Sequence, residues 1–303
     1  MFGGEQLMGN DCFEQFKEYL TKTKRCSKNT LDAYVRDVSQ FISYCSLNGI
    51  NDIGNVNEDY IKKYVEYLAF IGKSDATTTR TIASLHSYFN FILSQGVIDS
   101  DPTKGIKGPK SARIMPDVLD AKEITLLLSQ PNDNDYKSIR DKAMLEVLYA
   151  TGIKVSELIS LTLKDVNLQI GIIHIHSSKN ERIVPMYPAA NKHLTEYCNI
   201  ARPALVQNSD EDRLFTNMNG QPMTRQGFWK IIKHYAETAG IKKDITPHTL
   251  RHSFAAHLLE NGAELKDIKD MLGHSDISST QIYAQLVKSK YVRSYAKFHP
   301  LAK

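Results

Sequence analysis

No stretch of this sequence is both long and apolar enough to span a bilayer, and its start lacks the basic, apolar and small-residue order of a signal peptide. A membrane-embedded or secreted protein is therefore not expected, and the cytoplasm is the expected compartment. Cysteine is scarce. Cys12, Cys26, Cys45 and Cys198 show no CxxC spacing, which argues for reduced thiols and against a zinc ribbon or a disulfide framework. A strong charge of one sign is also missing, since 38 Lys and Arg against 34 Asp and Glu leave a net +4. That balance permits a nucleic-acid partner without demanding one. No carboxylate cluster stands out, so a metal-dependent nuclease is disfavoured. Internal repeats and long low-complexity tracts are absent as well.

What is present is a chain of 303 residues, enough for two domains and a substantial core. From Asp11 the pattern is helical, with Phe13, Phe16, Tyr19 and Leu20 on one face. A basic stretch follows (Lys22, Lys24, Arg25, Lys28), then a helix capped near Asn29 or Thr30 and running to about Leu47. Such a cluster is either a solvated loop or a set of DNA phosphate contacts. A third helix is expected over about 58–71. A fourth begins in the run Ala76–Thr81 and continues to Gln95, with Leu85, Tyr88, Phe89, Ile92 and Leu93 inward. Thr78, Thr79 and Arg80 at its start are candidates for contacts to backbone phosphate or base edges, with capping and solvent as the plain alternative.

Pro102, Pro109 and Pro116, with Lys104, Lys107, Lys110 and Arg113 among them, mark a cationic interdomain linker. The expected division is an N-terminal helical domain over 1–108, a linker over 109–116 and a second domain over 117–303. That second domain opens with a helix capped at Asp120. Further helices are expected over 136–150, ending at Gly152, and from Lys154 to about Leu161. Strands follow over 170–177 and 183–186, with Ser178–Arg182 turning between them and a short strand near 166–168 before them. Helices return over 188–207 and 224–239, and Trp229 in the latter is expected in the core.

The segment Thr246–Tyr283 carries the chemistry. Thr246 and Pro247 read as an N-cap and a first-turn proline, while Gly262 and Gly273 read as helix stops. His248 sits at the helix start and Arg251 lies three residues on, so both can face one point. An imidazole and a guanidinium fork at a helix N-terminus suit a phosphate that gains charge during displacement. Tyr283, nine residues after His274, is a candidate nucleophile. His248 and His252 are also spaced for zinc, but no third or fourth ligand is evident, and no metal or cofactor is expected.

The combined pattern HTLRHSFAAHLLENG followed by LGHSDISSTQIY resembles the second half of the tyrosine recombinase (phage integrase) family, most closely its Xer branch. YATGIKVSELISLTLKDV, ERIVPM and LFTNMNGQPMTRQGFWKIIKHYAETAGI agree in order, as does the ending with His299 and Pro300. The resemblance is strong over about 145–303 and lies more in layout than in motif before that. It implies a mainly α fold with a small antiparallel β-sheet in the C-terminal domain: a four-helix core-binding bundle followed by a mixed α/β catalytic domain. It implies a site-specific DNA recombinase working through a 3′-phosphotyrosyl intermediate, with Tyr283 attacking and Lys179 protonating the leaving 5′ oxygen. Arg251 and the group at position 154 would hold the phosphate, with His248 and His274 assisting. Arg225, in a matched segment, joins the N-terminal residues, Lys107 and Lys110 as an expected DNA contact.

One departure is serious. The family's first catalytic arginine falls on Lys154, which keeps the charge but loses the planar fork, at a cost of about 10²–10³ in rate. Glu157, one turn on, is expected to orient Lys154. The SSKNER turn is also shorter than the glycine-containing turn usual in Xer proteins. The implied partners are double-stranded DNA with inverted-repeat-like half-sites and a homo- or hetero-tetramer on two sites. The tail (Leu286, Val287, Tyr291, Val292, Tyr295) would dock on a neighbour. Chromosome or plasmid dimer resolution and mobile-element integration or excision remain open. A binding-only architectural protein and a type IB topoisomerase are the rival readings.

Overall fold

The computed structural model describes residues 9–109, 116–132, 135–176, 181–206, 211–274, 276 and 279–285. Two compact units divide at Met1–Arg113 and Ile114–Lys303.

The N-terminal unit is built from α1 (Gly9–Lys22), α2 (Lys28–Leu47), α3 (Glu58–Phe70) and α4 (Asp75–Ser94). Short polar side chains start three of them: Ser27, Asn57 and Ser74 each accept a backbone N–H of the first turn. The α2 cap is thus Ser27, just upstream of the expected Asn29 or Thr30. Phe16, Phe41, Leu85 and Phe89 are fully buried, each stabilising the bundle by about 1.5–3 kcal/mol. The chain after α4 belongs to this unit too. Thr103 is buried, and His86 holds it by a 2.7 Å contact at Nδ1 and faces the Ile106 carbonyl at 3.2 Å through Nε2.

The C-terminal unit begins with α5 (Ala121–Leu128), where Asp120 and Glu123 form a reciprocal capping box. Its central helix is α6 (Tyr136–Thr151), in which residues 143–148 are buried all round. A helix buried on every side lies in the middle of a core, and its one charged residue in that run, Glu146, is met by Lys142 and Tyr187. Gly152 ends it at φ 59°, and a Cβ there would lie 2.3 Å from the Phe254 ring, so only glycine fits. The single turn α7 (Val155–Leu158) follows, shorter than expected. Strands β1 (Val166–Asn167), β2 (Ile172–Ile175) and β3 (Arg182–Pro185) form one antiparallel sheet in that order, with Ile173 opposite Val184 and both buried. The chain then runs through α8 (Pro188–Glu196), a π turn (Tyr197–Ala201) and α9 (Arg202–Leu205). The π turn sits just before Pro203, which cannot donate a backbone hydrogen bond.

The last helices are α10 (Arg225–Thr238), α11 (Pro247–Glu260) and α12 (Leu265–Leu272), and residues 281–285 are again helical. Phe228 and Ile232 form the inward face of α10. Trp229, expected in the core, instead lies 41 % exposed beneath the Lys233 ammonium. Among the described residues no helix is long and apolar enough to cross a membrane.

Candidate active site

The site is built around Arg251 on the first turns of α11. Thr246 caps that helix by accepting the Thr249 N–H, which fixes the turn carrying His248 and Arg251. Arg251 is 4 % exposed. One amino group donates to the Gly152 carbonyl at 2.6 Å and the other to the Leu272 carbonyl at 2.7 Å. Both acceptors lie at the buried C-terminal ends of helices, α6 and α12, where carbonyls lack intrahelical partners. Burial lowers the guanidinium's pKa, opposed by the Glu157 and Tyr283 charges. It remains a cation at any ordinary pH.

Tyr283 is 1 % exposed and packs with Phe254, Ala255, Ile268 and Leu272. Its hydroxyl is hydrogen-bonded to His252 Nδ1 at 2.9 Å. Burial pushes the phenol's pKa up, partly opposed by Arg251. Burial, then the neighbouring His248 and Arg251, hold the His252 imidazole down to about 4, so it is neutral near pH 7. His248 is exposed on the first turn of α11, its ring 6.4 Å from that of His252. His252, considered in the sequence only as half of a zinc spacing, is the residue that meets the tyrosine.

His274 follows Gly273, the left-handed cap of α12, and its Nδ1 contacts Thr280 Oγ1 at 3.0 Å. Burial lowers its pKa to about 4, with further lowering from the charges of Arg251, Lys154, His252 and Arg182. Arg251 and Lys154 are thus near enough for their charges to act on the His274 imidazole. Lys154 is exposed where α7 begins. Glu157 holds Lys154 through its backbone, the carboxylate accepting the Lys154 N–H at 2.8 Å, while the ammonium acts on it through charge. Both Glu157 oxygens also receive Arg182, at 3.0 and 2.8 Å. Burial raises the Glu157 carboxyl, but the Arg182 and Lys154 hydrogen bonds and charges outweigh it and hold the group below its ordinary value. Arg182 escaped notice because it lies in the ERIVPM strand, 25 residues from its partner.

The expected DNA contacts divide. Lys28, Lys107 and Arg225 are exposed, and Arg25 is exposed with φ 46°. Lys22 pairs with Glu18, and Lys24 donates to Ser87 Oγ at 2.8 Å. Thr79, also exposed, donates to the Pro109 carbonyl at 3.4 Å. Two expectations need correction. Thr78 is 4 % exposed and faces the bundle core, because it lies on the same side of α4 as Thr81 and Leu85. Arg80 gives Nε and one amino group to the buried Asp37 carboxylate, at 2.9 and 2.7 Å, so its fork is occupied within the bundle. Lys110 and Lys179 lie outside the described residues, as does the tail from Leu286. No group of three or more His, Cys, Asp or Glu among the described residues is arranged to hold a metal ion.

Comparison with known proteins places the whole chain in a family. The phage integrase family matches residues 117–290, and the phage integrase N-terminal SAM-like domain matches 13–96. The tyrosine recombinase XerD of Halalkalibacterium halodurans is 41% identical over 295 residues, covering 97% of this chain and 99% of that protein. The crystal structure of XerA recombinase is 29% identical with a TM-score of 0.54, over 96% of this chain and 99% of that one. XerH recombinase, in a post-cleavage complex with palindromic difH, shares the fold at a TM-score of 0.75 and 22% identity, over 94% of this chain and 84% of that one. With two family domains in order and a relative this similar along nearly its whole length, the chain belongs to the phage integrase family and is a tyrosine recombinase, an enzyme that cleaves and rejoins DNA.

Proposed function

We propose that this protein is a site-specific recombinase whose Tyr283 oxygen attacks a DNA phosphate. The new bond joins the tyrosine oxygen to phosphorus, giving a 3′-phosphotyrosyl link, and the bond to the 5′ oxygen breaks. Lys179 supplies the proton that leaves with that oxygen as a 5′ hydroxyl. A 5′ hydroxyl from a second duplex then reverses the step, so phosphoester energy is retained without metal or nucleotide. The observation that carries this reading is Arg251: a buried guanidinium held by two backbone carbonyls, close enough to Tyr283 and His274 to shift both. Such a preorganised cation stabilises charge developing on non-bridging oxygens. Lys154 adds a second positive charge, His274 a hydrogen bond, and the exposed His248 assists proton transfer by taking the proton that the Tyr283 hydroxyl loses on attack.

The duplex would be held by the exposed basic residues Arg25, Lys28, Lys107 and Arg225 together with Lys110, which position the protein without reading sequence. We read the assembly as a tetramer on two DNA sites in the cytoplasm. A neighbour's tail would fill the apolar groove of about 450 Å³ lined by Tyr149, Met186, Phe254 and Leu258. Resolution of chromosome or plasmid dimers and movement of a mobile element both fit this chemistry.

Lys154 favours a second reading, a DNA-binding protein that has lost cleavage, because an ammonium cannot reproduce two-pronged phosphate recognition. The test uses a nicked suicide duplex carrying a site selected from random DNA by binding to the protein. We expect a covalent adduct on a denaturing gel that grows by about 10²-fold in initial rate with Lys154→Arg and vanishes with Tyr283→Phe. Tight binding with no adduct from any version establishes the binding-only reading instead. Strand exchange between two sites separates a recombinase from a topoisomerase.

A further inference from the structure

We propose that Arg182, the first residue of β3, is a positioning residue of the active site, fastening that strand to the two segments that present Lys154 and His274. The proposal rests on the recombinase reading above and names a residue that the catalytic set does not contain.

Arg182 makes three directed hydrogen bonds from a side chain only 9% exposed. Two run in parallel to the Glu157 carboxylate, and Nε donates to the Met271 carbonyl at 2.6 Å. Glu157 passes one contact onward by accepting the backbone N–H of Lys154. Met271 passes the other, since its carbonyl is adjacent in sequence to that of Leu272, which receives Arg251. Two guanidiniums thus hold consecutive carbonyls at the C-terminal end of α12, where partners are otherwise lacking and a cation is favoured. The chain then turns through Gly273 to His274. A Cβ at Gly273 would lie 2.7 Å from an Arg182 amino nitrogen, and the backbone is left-handed at φ 66°. The guanidinium therefore packs against bare backbone, and the turn that aims His274 is shaped around it.

With its fork committed to Glu157 and Nε to Met271, Arg182 is not a substitute for the missing first arginine. Its effect is on others. Without it, the largely buried Glu157 carboxylate would lose its main cation and draw on another whose charge already acts on it, the Lys154 ammonium, away from phosphate. Lysine at 182 cannot replace it, because a single ammonium cannot meet both oxygens of Glu157 and the Met271 carbonyl from one position.

The experiment compares the parent with Arg182→Gln, Arg182→Lys, Glu157→Gln and the Arg182→Gln/Glu157→Gln pair on the same suicide duplex. Single-turnover cleavage and DNA affinity are measured side by side. Arg182→Gln is expected to slow cleavage about 30-fold or more while changing affinity less than about threefold, the mark of lost positioning and not of lost binding. Arg182→Lys, which keeps the charge, should fold like the parent and still cleave slowly. Adding Glu157→Gln removes the competing carboxylate and should recover part of the rate, whereas a residue that only supports the fold would give additive losses. Cleavage within twofold of the parent, or an additive pair, overturns the proposal. A second readout is the imidazole titration of His274 by NMR, which should move up when the neighbouring cation is removed by Arg182→Gln. If the parent itself yields no adduct, the recombinase reading falls, and an unchanged His274 titration then overturns the Arg182 proposal on its own.

Discussion

The two units of this protein each contain an arginine held by strong hydrogen bonds, and they use it in opposite ways. In the N-terminal unit Arg80 is partly exposed, and its fork closes on Asp37, a buried carboxylate that also accepts from Ser84. The charge is neutralised on the spot, and the pair ties α4 to α2. In the C-terminal unit Arg251 is buried, and the described residues offer its side chain two carbonyls and no carboxylate hydrogen bond. Carbonyl dipoles hold the group in place without cancelling its charge. Exposure alone points to the wrong residue, because the more accessible arginine is the one already spent. On the proposed mechanism, what Arg251 offers a phosphate is a cation left uncancelled beside Tyr283 and His274.

That contrast can be broken or sharpened by experiment, and the largest effect should come from Arg251→Ala. We expect suicide-substrate cleavage to fall by about 10³-fold or more. Urea unfolding should show little loss of stability, since a buried charge without a carboxylate partner costs free energy to keep. A large loss of stability with modest loss of cleavage would reverse the assignment. Lys154→Arg comes next, with the gain of about 10²-fold given above. Arg80→Ala should behave in the opposite manner to Arg251→Ala, leaving cleavage chemistry intact while destabilising the bundle by about 2 kcal/mol. That figure is set below the usual cost of stranding a buried charge because Arg80 is partly solvated. The single tryptophan, Trp229, lies in the C-terminal unit. Arg80→Ala should therefore lower the circular dichroism midpoint while Trp229 fluorescence holds to higher urea.

A further effect is on pH. His252 and His274 titrate near 4 in the folded protein against an ordinary 6.5, so the unfolded chain binds protons first as the solution is acidified. Their contribution to stability is fully present above about 6.5 and is lost as pH falls toward 4. The Trp229 unfolding midpoint should decline across that window, and His252→Asn should flatten part of the decline. A midpoint that rises on acidification would contradict the buried, neutral state of both rings.

Much of this was legible in the sequence because it is local. The Asp120 and Glu123 capping box, the glycine stops at 152 and 273, and the alternation in β2 and β3 are all set by neighbours a few residues apart. The motif around His248 and Arg251 was legible for the same reason. Pairings across the fold were not. Arg80 meets Asp37 across 43 positions, Tyr283 meets His252 across 31, and Arg182 meets Glu157 across 25. Nothing in local spacing distinguishes an arginine that faces DNA from one that closes on a distant carboxylate. Thr78 and Trp229 failed differently: each lies one position away from the face its residue type would suggest, so a rotation of the helix by about 100° decides the outcome.

Tyr283 adds a thermodynamic consequence. Its hydroxyl is buried among apolar side chains and tied to an imidazole, so on the proposed mechanism a DNA phosphate would reach it only after residues 280–285 rearrange. Any partner that stabilises the reactive complex must supply the free energy of that rearrangement from its own binding. Each 1.4 kcal/mol of cost lowers the competent fraction about tenfold and weakens the apparent affinity by the same factor. Weakening the latch should therefore act as a dial on how much assembly is needed before the first strand is cut, without changing the chemistry once it begins.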